Sequence, residues 1–146
     1  MIRISKLTDY GIILLTYFTQ DESASLSARE LAARSHIPLP TVGKILKLFS
    51  RAEILVSQRG VRGGYRLARS SEKISAAEVI SLFEGPIALT DCSGHGGGCG
   101  FMRDCPARGH WQKINGAMLK ALNELSLREM STPVSKAGDA LLSKSH

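Results

Sequence analysis

Residues 27–67 read SARELAARSHIPLPTVGKILKLFSRAEILVSQRGVRGGYRL, and the punctuation of this stretch decides the fold. Ser27 followed three residues later by Glu30 is a capping box, because hydroxyl and carboxylate can each satisfy a free N–H of a helix's first turn. A short helix therefore starts there. Pro38 biases Ile37 away from the helical region, and Pro40 suits the first turn of a new helix that runs to about Arg51. Val42, Ile45, Leu46 and Phe49 fall on one face of that helix, which leaves Thr41, Lys44 and Lys47 to face outward. Ile54-Leu55-Val56 then reads as a strand, RGVRGG as its turn and Tyr65-Arg66-Leu67 as the returning strand. Two short helices across a tight turn, followed by a hairpin with Arg59, Arg62 and Arg66 on or near its tip, spell a winged helix-turn-helix.

The flanks extend this reading. Tyr10, Ile13, Leu14, Tyr17 and Phe18 recur at helical spacing within residues 8–19 and predict a first helix with a broad buried face. Ser75 and Glu78 make a second capping box, opening a helix that Gly85-Pro86 stops. Further on, Trp111, Ile114, Met118, Ala121 and Leu125 form the seam of a long helix that needs a partner helix. The first helix of the same chain could serve, but a winged helix usually reads two half-sites, which favours a homodimer. The expected fold class is mainly α with a small β-hairpin: a winged helix-turn-helix over residues 1–85, a cysteine-containing loop over 86–110, a dimerisation helix over 111–130 and a tail over 131–146.

Composition supports a nucleic-acid partner. In 146 residues, 19 Lys and Arg oppose 13 Asp and Glu, a net charge of +6 that favours polyanions. No apolar run approaches the length of a membrane span, and MIRISKLTDYG lacks the zones of a signal peptide, so a cytoplasmic location with no membrane partner is expected. The partner is then a double-stranded DNA operator. Pro40, Thr41 and Gly43, at the start of the recognition helix, are placed to touch base edges, while Lys44 and Lys47 suit phosphates. Arg59 suits a narrow minor groove, and Arg62 and Ser27 complete the DNA-facing set.

The three cysteines, Cys92, Cys99 and Cys105, all lie in TDCSGHGGGCGFMRDCPARGH, residues 90–110. Their C-x6-C-x5-C spacing has no C-x2-C pair, and the glycines among them permit close backbone approach to a bulky group. An iron–sulfur cluster, a structural zinc site completed by a histidine, and a bare thiol switch all remain open on spacing alone. Three thiolates leave one position for Asp9, His95, Asp104 or His110. No redox C-x2-C pair and no base poised beside a nucleophile is evident, so an enzyme is not expected.

LTDYG in the first helix, LPTVGKILKLF in the third, RGVRGGYRLA in the wing and the cysteine triplet together resemble the IscR/NsrR-type iron–sulfur winged-helix transcriptional regulators over about residues 1–130. Within that family, EGPIALTDC and CPARGHWQKIN are most similar to the regulators of SUF-type cluster-assembly operons. The resemblance implies a homodimer with crossed long helices and one 2Fe-2S or 4Fe-4S cluster per subunit on Cys92, Cys99 and Cys105. IscR-like members place a histidine three residues after the last cysteine, where this chain has Arg108, with His110 two positions on. NsrR-like members use an aspartate at the start of the first helix, donated across the dimer, and Asp9 matches it. The implied function is to sense cluster status or redox stress and control cluster-assembly genes. The alternative is a constitutive DNA-binding protein with structural zinc in the loop.

Overall fold

The computed structural model describes residues 3–91, 93 and 105–133. Six α-helices occur among them: α1 (Lys6–Phe18), α2 (Ala28–Ser35), α3 (Leu39–Arg51), α4 (Ala76–Glu84), α5 (Arg108–Glu124) and α6 (Leu127–Ser131). Strands β1 (Leu55–Gln58) and β2 (Gly64–Leu67) form the hairpin after α3, and a 3-10 turn spans Ser71–Lys73. The fold is the expected winged helix-turn-helix.

Local chemistry sets the boundaries. Helix α1 starts two residues earlier than periodicity predicts, because the Ser5 hydroxyl accepts the Thr8 N–H and caps it. Both halves of the Ser27–Glu30 box are present at α2. His36 ends α2 in the left-handed region at φ 58°, and the Ser35 hydroxyl accepts the Ile37 N–H, so these two residues build the turn into α3. Helix α3 ends in a Schellman motif. Glu53 takes φ 57°, its N–H bonds the Ser50 carbonyl, and the Ile54 N–H bonds the Phe49 carbonyl. Ile54 is thereby drawn out of the predicted strand into the core, and pairing begins at Leu55↔Leu67.

The core packs the buried face of α3 (Val42, Ile45, Leu46, Phe49) against Leu14, Leu15 and Phe18 of α1, with Leu31, Ile54, Leu55, Ile74, Val79 and Leu127 closing it. Phe83 of α4 meets Phe49 edge-to-face, ring centroids 5.5 Å apart. That ring lies over Gly11 of α1, where a Cβ would come within 2.7 Å of it, so glycine permits the approach.

Two elements depart from expectation. Only half of the Ser75–Glu78 box forms: the Ser75 hydroxyl accepts the Glu78 N–H, but the Glu78 carboxylate turns to a bidentate pair with Arg69. The long seam helix stops at Glu124 instead of continuing to about residue 130, because Ser126 and Glu129 form a capping box that starts α6. Leu125 is therefore extended. Its carbonyl accepts the Ala76 N–H, the Leu127 N–H donates to the Ile74 carbonyl, and Leu127 is wholly buried in the core. Nor does α5 lie along α1; it packs on α4.

Candidate nucleic-acid interface

The wing is held by more than its two strands. Tyr65 and Leu26 exchange both backbone bonds at 2.8 Å, so the segment before α2 pairs with the outer edge of β2. A Cβ at Gly64 would lie 2.7 Å from the Leu26 carbonyl oxygen, so the pairing requires glycine there. At the tip, the Gly63 N–H donates to the Gly60 carbonyl at 2.9 Å, closing a four-residue turn with Gly60 at φ 122°. Val61 and Arg62 occupy its corners, both exposed. No local signal in the sequence marks Leu26 as the wing's bridging partner.

The sequence-derived DNA candidates are distributed over this face. Pro40, Lys44, Lys47, Arg59 and Arg62 are exposed and Thr41 is half-buried. Pro40, Gly43, Lys44, Lys47 and Arg51 line a shallow depression on the outer side of α3, so Arg51 adds a cation that sequence reasoning left out. Ser27, Arg62 and Val61 line a second depression between α2 and the wing turn. The Ser27 oxygen accepts the Glu30 N–H, and the Ser27 N–H and hydroxyl both bond the Glu30 carboxylate and hold it below the usual carboxylate range.

The candidate metal ligands divide differently. Cys92, Cys99, His95 and Asp104 lie outside the described residues. Cys105 is a free, half-buried cysteine whose carbonyl accepts the Arg108 N–H that opens α5. His110 is exposed on the first turn of α5, and Asp9 is exposed on the first turn of α1. Among the described residues no three His, Cys, Asp or Glu side chains converge on a metal-sized site. The donor types in the sequence, three thiolates with an oxygen or nitrogen donor, fit an iron–sulfur cluster and zinc alike.

Around these positions, two polar contacts tie the segments together. Asn115 is the one residue α5 buries, at 4% exposure, and its Oδ1 accepts the Leu89 N–H at 3.0 Å. Both flanks of the cysteine segment, residue 89 and residue 105, are thus joined to α5. At the base of α1, Glu84 of α4 accepts the Ser5 N–H at 2.9 Å and the hydroxyl of the buried Thr8. The hydroxyls of Ser5 and Thr8 and the Ser5 N–H hold the Glu84 carboxyl below the usual carboxylate range. This clamp fixes the helix turn that carries Asp9.

A family model described as Rrf2, iron-dependent transcriptional regulator, matches residues 4–133. The chain belongs to the Rrf2 family. It is 26% identical over 129 residues to protein rrf2 of Nitratidesulfovibrio vulgaris, covering 88% of this chain and 86% of the relative. To the HTH-type transcriptional regulator IscR of Cronobacter sakazakii it is 26% identical over 117 residues, 80% of this chain and 72% of that one. Its fold matches CymR, the global cysteine regulator of B. subtilis, with a TM-score of 0.76 at 22% identity, over 92% of this chain and all of that structure. As an Rrf2 protein the chain is a DNA-binding transcriptional regulator and not an enzyme. No helix among the described residues is long and apolar enough to cross a membrane.

Proposed function

We propose that this Rrf2 protein is a homodimer whose operator binding responds to an iron–sulfur cluster held by Cys92, Cys99 and Cys105, and that it controls iron–sulfur cluster assembly genes. The observation that carries the reading is the placement of the thiols: every cysteine of the chain falls within residues 92–105, and the last, a free thiol, opens directly into α5. The iron dependence in the family's description supports the same metal. Asp9 of the partner subunit is the fourth ligand, with His110 as the local competitor. The cluster, when bound, supplies an oxidant-labile tie among these residues.

This chain's own residues then carry the response to DNA. The loop's flanks are anchored on α5 through Leu89–Asn115 and Cys105. The far end of α5 is bonded through Leu125 and Leu127 to residues 74–76, just beyond the wing. A constraint on the loop is thereby a constraint on how α5 meets the winged domain, and the operator-binding equilibrium shifts by the difference in cluster contacts between the two arrangements. Asp9, fixed by the Ser5–Thr8–Glu84 clamp, brings the partner's α1 into the same linkage.

Anaerobic purification followed by iron and acid-labile sulfide counting tests the reading. Iron and sulfide in equal amounts, lost in air together with a change in operator affinity, are expected, and Cys99→Ala should lock the cluster-free behaviour. Zinc without sulfide, or operator affinity indifferent to air and to Cys99→Ala, would sink it; the zinc result would put the constitutive regulator with a structural zinc site in its place.

A further inference from the structure

Helix α3 has two features that its own packing does not explain. Val42, Ile45, Leu46 and Phe49 are wholly buried, whereas Leu39, at the first position of the helix, is 42% exposed and lies outside the hydrophobic core. One turn further along the same side stands Gly43. Glycine is the poorest helix former after proline, so a glycine within a helix asks for a neighbour that leaves no room for a Cβ. Gly11 in α1 has such a neighbour in the Phe83 ring. A Cβ on Gly43 would meet no atom of the described residues within 4 Å beyond its chain neighbours and its own helix backbone. No described residue fills the clearance, and it opens into the depression on the outer, basic side of α3.

The chemistry at the leading end of α3 narrows what fills that clearance. Leu39, Pro40, Thr41 and Gly43 include no side chain able to make a bidentate bond to a base, and the first long polar residue is Lys44. The major groove offers one apolar group, the 5-methyl of thymine. We infer that Leu39 and Gly43 read thymine at close range: Leu39 packs against its methyl group, and the bare Cα of Gly43 lets the base edges approach the helix backbone. The inference rests on α3 entering the major groove and adds the base that it selects.

Duplexes enriched by the wild-type protein from a randomised pool are the probe. Replacing single thymines with deoxyuridine removes only the methyl. At one or more positions in each half-site wild-type affinity should fall about fourfold, the effect of burying one methyl-sized group. Leu39→Ala, altered only at an exposed position, should bind the two duplexes alike. Gly43→Ala should melt at a higher temperature than the wild type yet bind the enriched duplexes about tenfold more weakly, with no change on unrelated duplexes held through phosphates. The inference is overturned if the wild type ignores deoxyuridine, if the difference survives in Leu39→Ala, or if Gly43→Ala binds the enriched duplexes as tightly as the wild type. Failure of the wild type to enrich any duplex is a separate result, which overturns the groove-reading role of α3 and this inference with it.

Discussion

Gly11 and Gly43 occupy the middle of α1 and α3, and the same substitution should act on them in opposite directions. Alanine at either site gains helix propensity. At Gly11 the new Cβ meets the Phe83 ring at 2.7 Å and Phe49 Cζ at 3.1 Å, inside a packed core where the edge-to-face pair has little freedom to move. Overpacking of this kind costs about 1–3 kcal/mol, more than the propensity gain. Thermal unfolding of Gly11→Ala should therefore show a Tm several degrees below the wild type; an unchanged or higher Tm would mean that Phe83 moves aside freely. Neither glycine announces its role in the sequence, since the reason for Gly11 lies on a residue 72 positions away in Phe83. Asn115 is similar: a polar residue on a helix reads as surface until its partner, the Leu89 N–H, is known.

Among the elements, those delimited by short-range chemistry were legible. The Ser27–Glu30 box, the Pro38/Pro40 punctuation and the period of α3 each act within a few residues, and α2 and α3 lie where they say. Errors arise where a residue has a choice of partners. Glu78 has the spacing of a capping box but also an arginine within reach, and the bidentate ion pair prevails. Leu125 has the period of the α5 seam, yet Ser126 and Glu129 restart the helix after it; S-x-x-E was present in SLRE, and the apolar repeat obscured it. The bridge that docks the wing was invisible because backbone pairing between Leu26 and Tyr65 depends on no side-chain pattern. It also makes the docking of the wing testable. Gly64→Ala drives a Cβ against the Leu26 carbonyl, which must break that pairing at the edge of the core, where Leu26 is buried, while the α1–α3 packing around Leu14, Leu31 and Phe49 lies away from the contact. Operator affinity should drop by on the order of tenfold, about 1.4 kcal/mol, with far-ultraviolet circular dichroism unchanged; full affinity in a folded Gly64→Ala protein would show that the docked wing is not needed for DNA binding.

At the scale of the whole molecule, α5 finds little to pack on among the described residues of one chain. It buries one residue, packs one side on α4, and leaves Trp111 at 40% and Ile114 at 50% exposure, with Leu125 exposed just past its end. Large apolar side chains exposed together along a helix are the kind of surface that a partner covers. In the homodimer proposed above, a second copy would cover it through a two-fold interface in which each α5 supplies the same residues. Two winged domains would then be spaced by α5, each gripping one half-site, and binding of the first would make binding of the second intramolecular. Ile114→Glu places a charge in the centre of that surface without touching the core, so it should convert the protein to monomers in sedimentation analysis while leaving its Tm within a few degrees of the wild type. Affinity for a two-half-site duplex should fall by at least about a hundredfold as the linkage between half-sites is lost, whereas affinity for a single half-site should hardly change. An Ile114→Glu protein that sediments as a dimer would show that α5 is covered by something other than its own copy, and one that is monomeric yet binds the full operator undiminished would separate dimerisation from DNA recognition altogether.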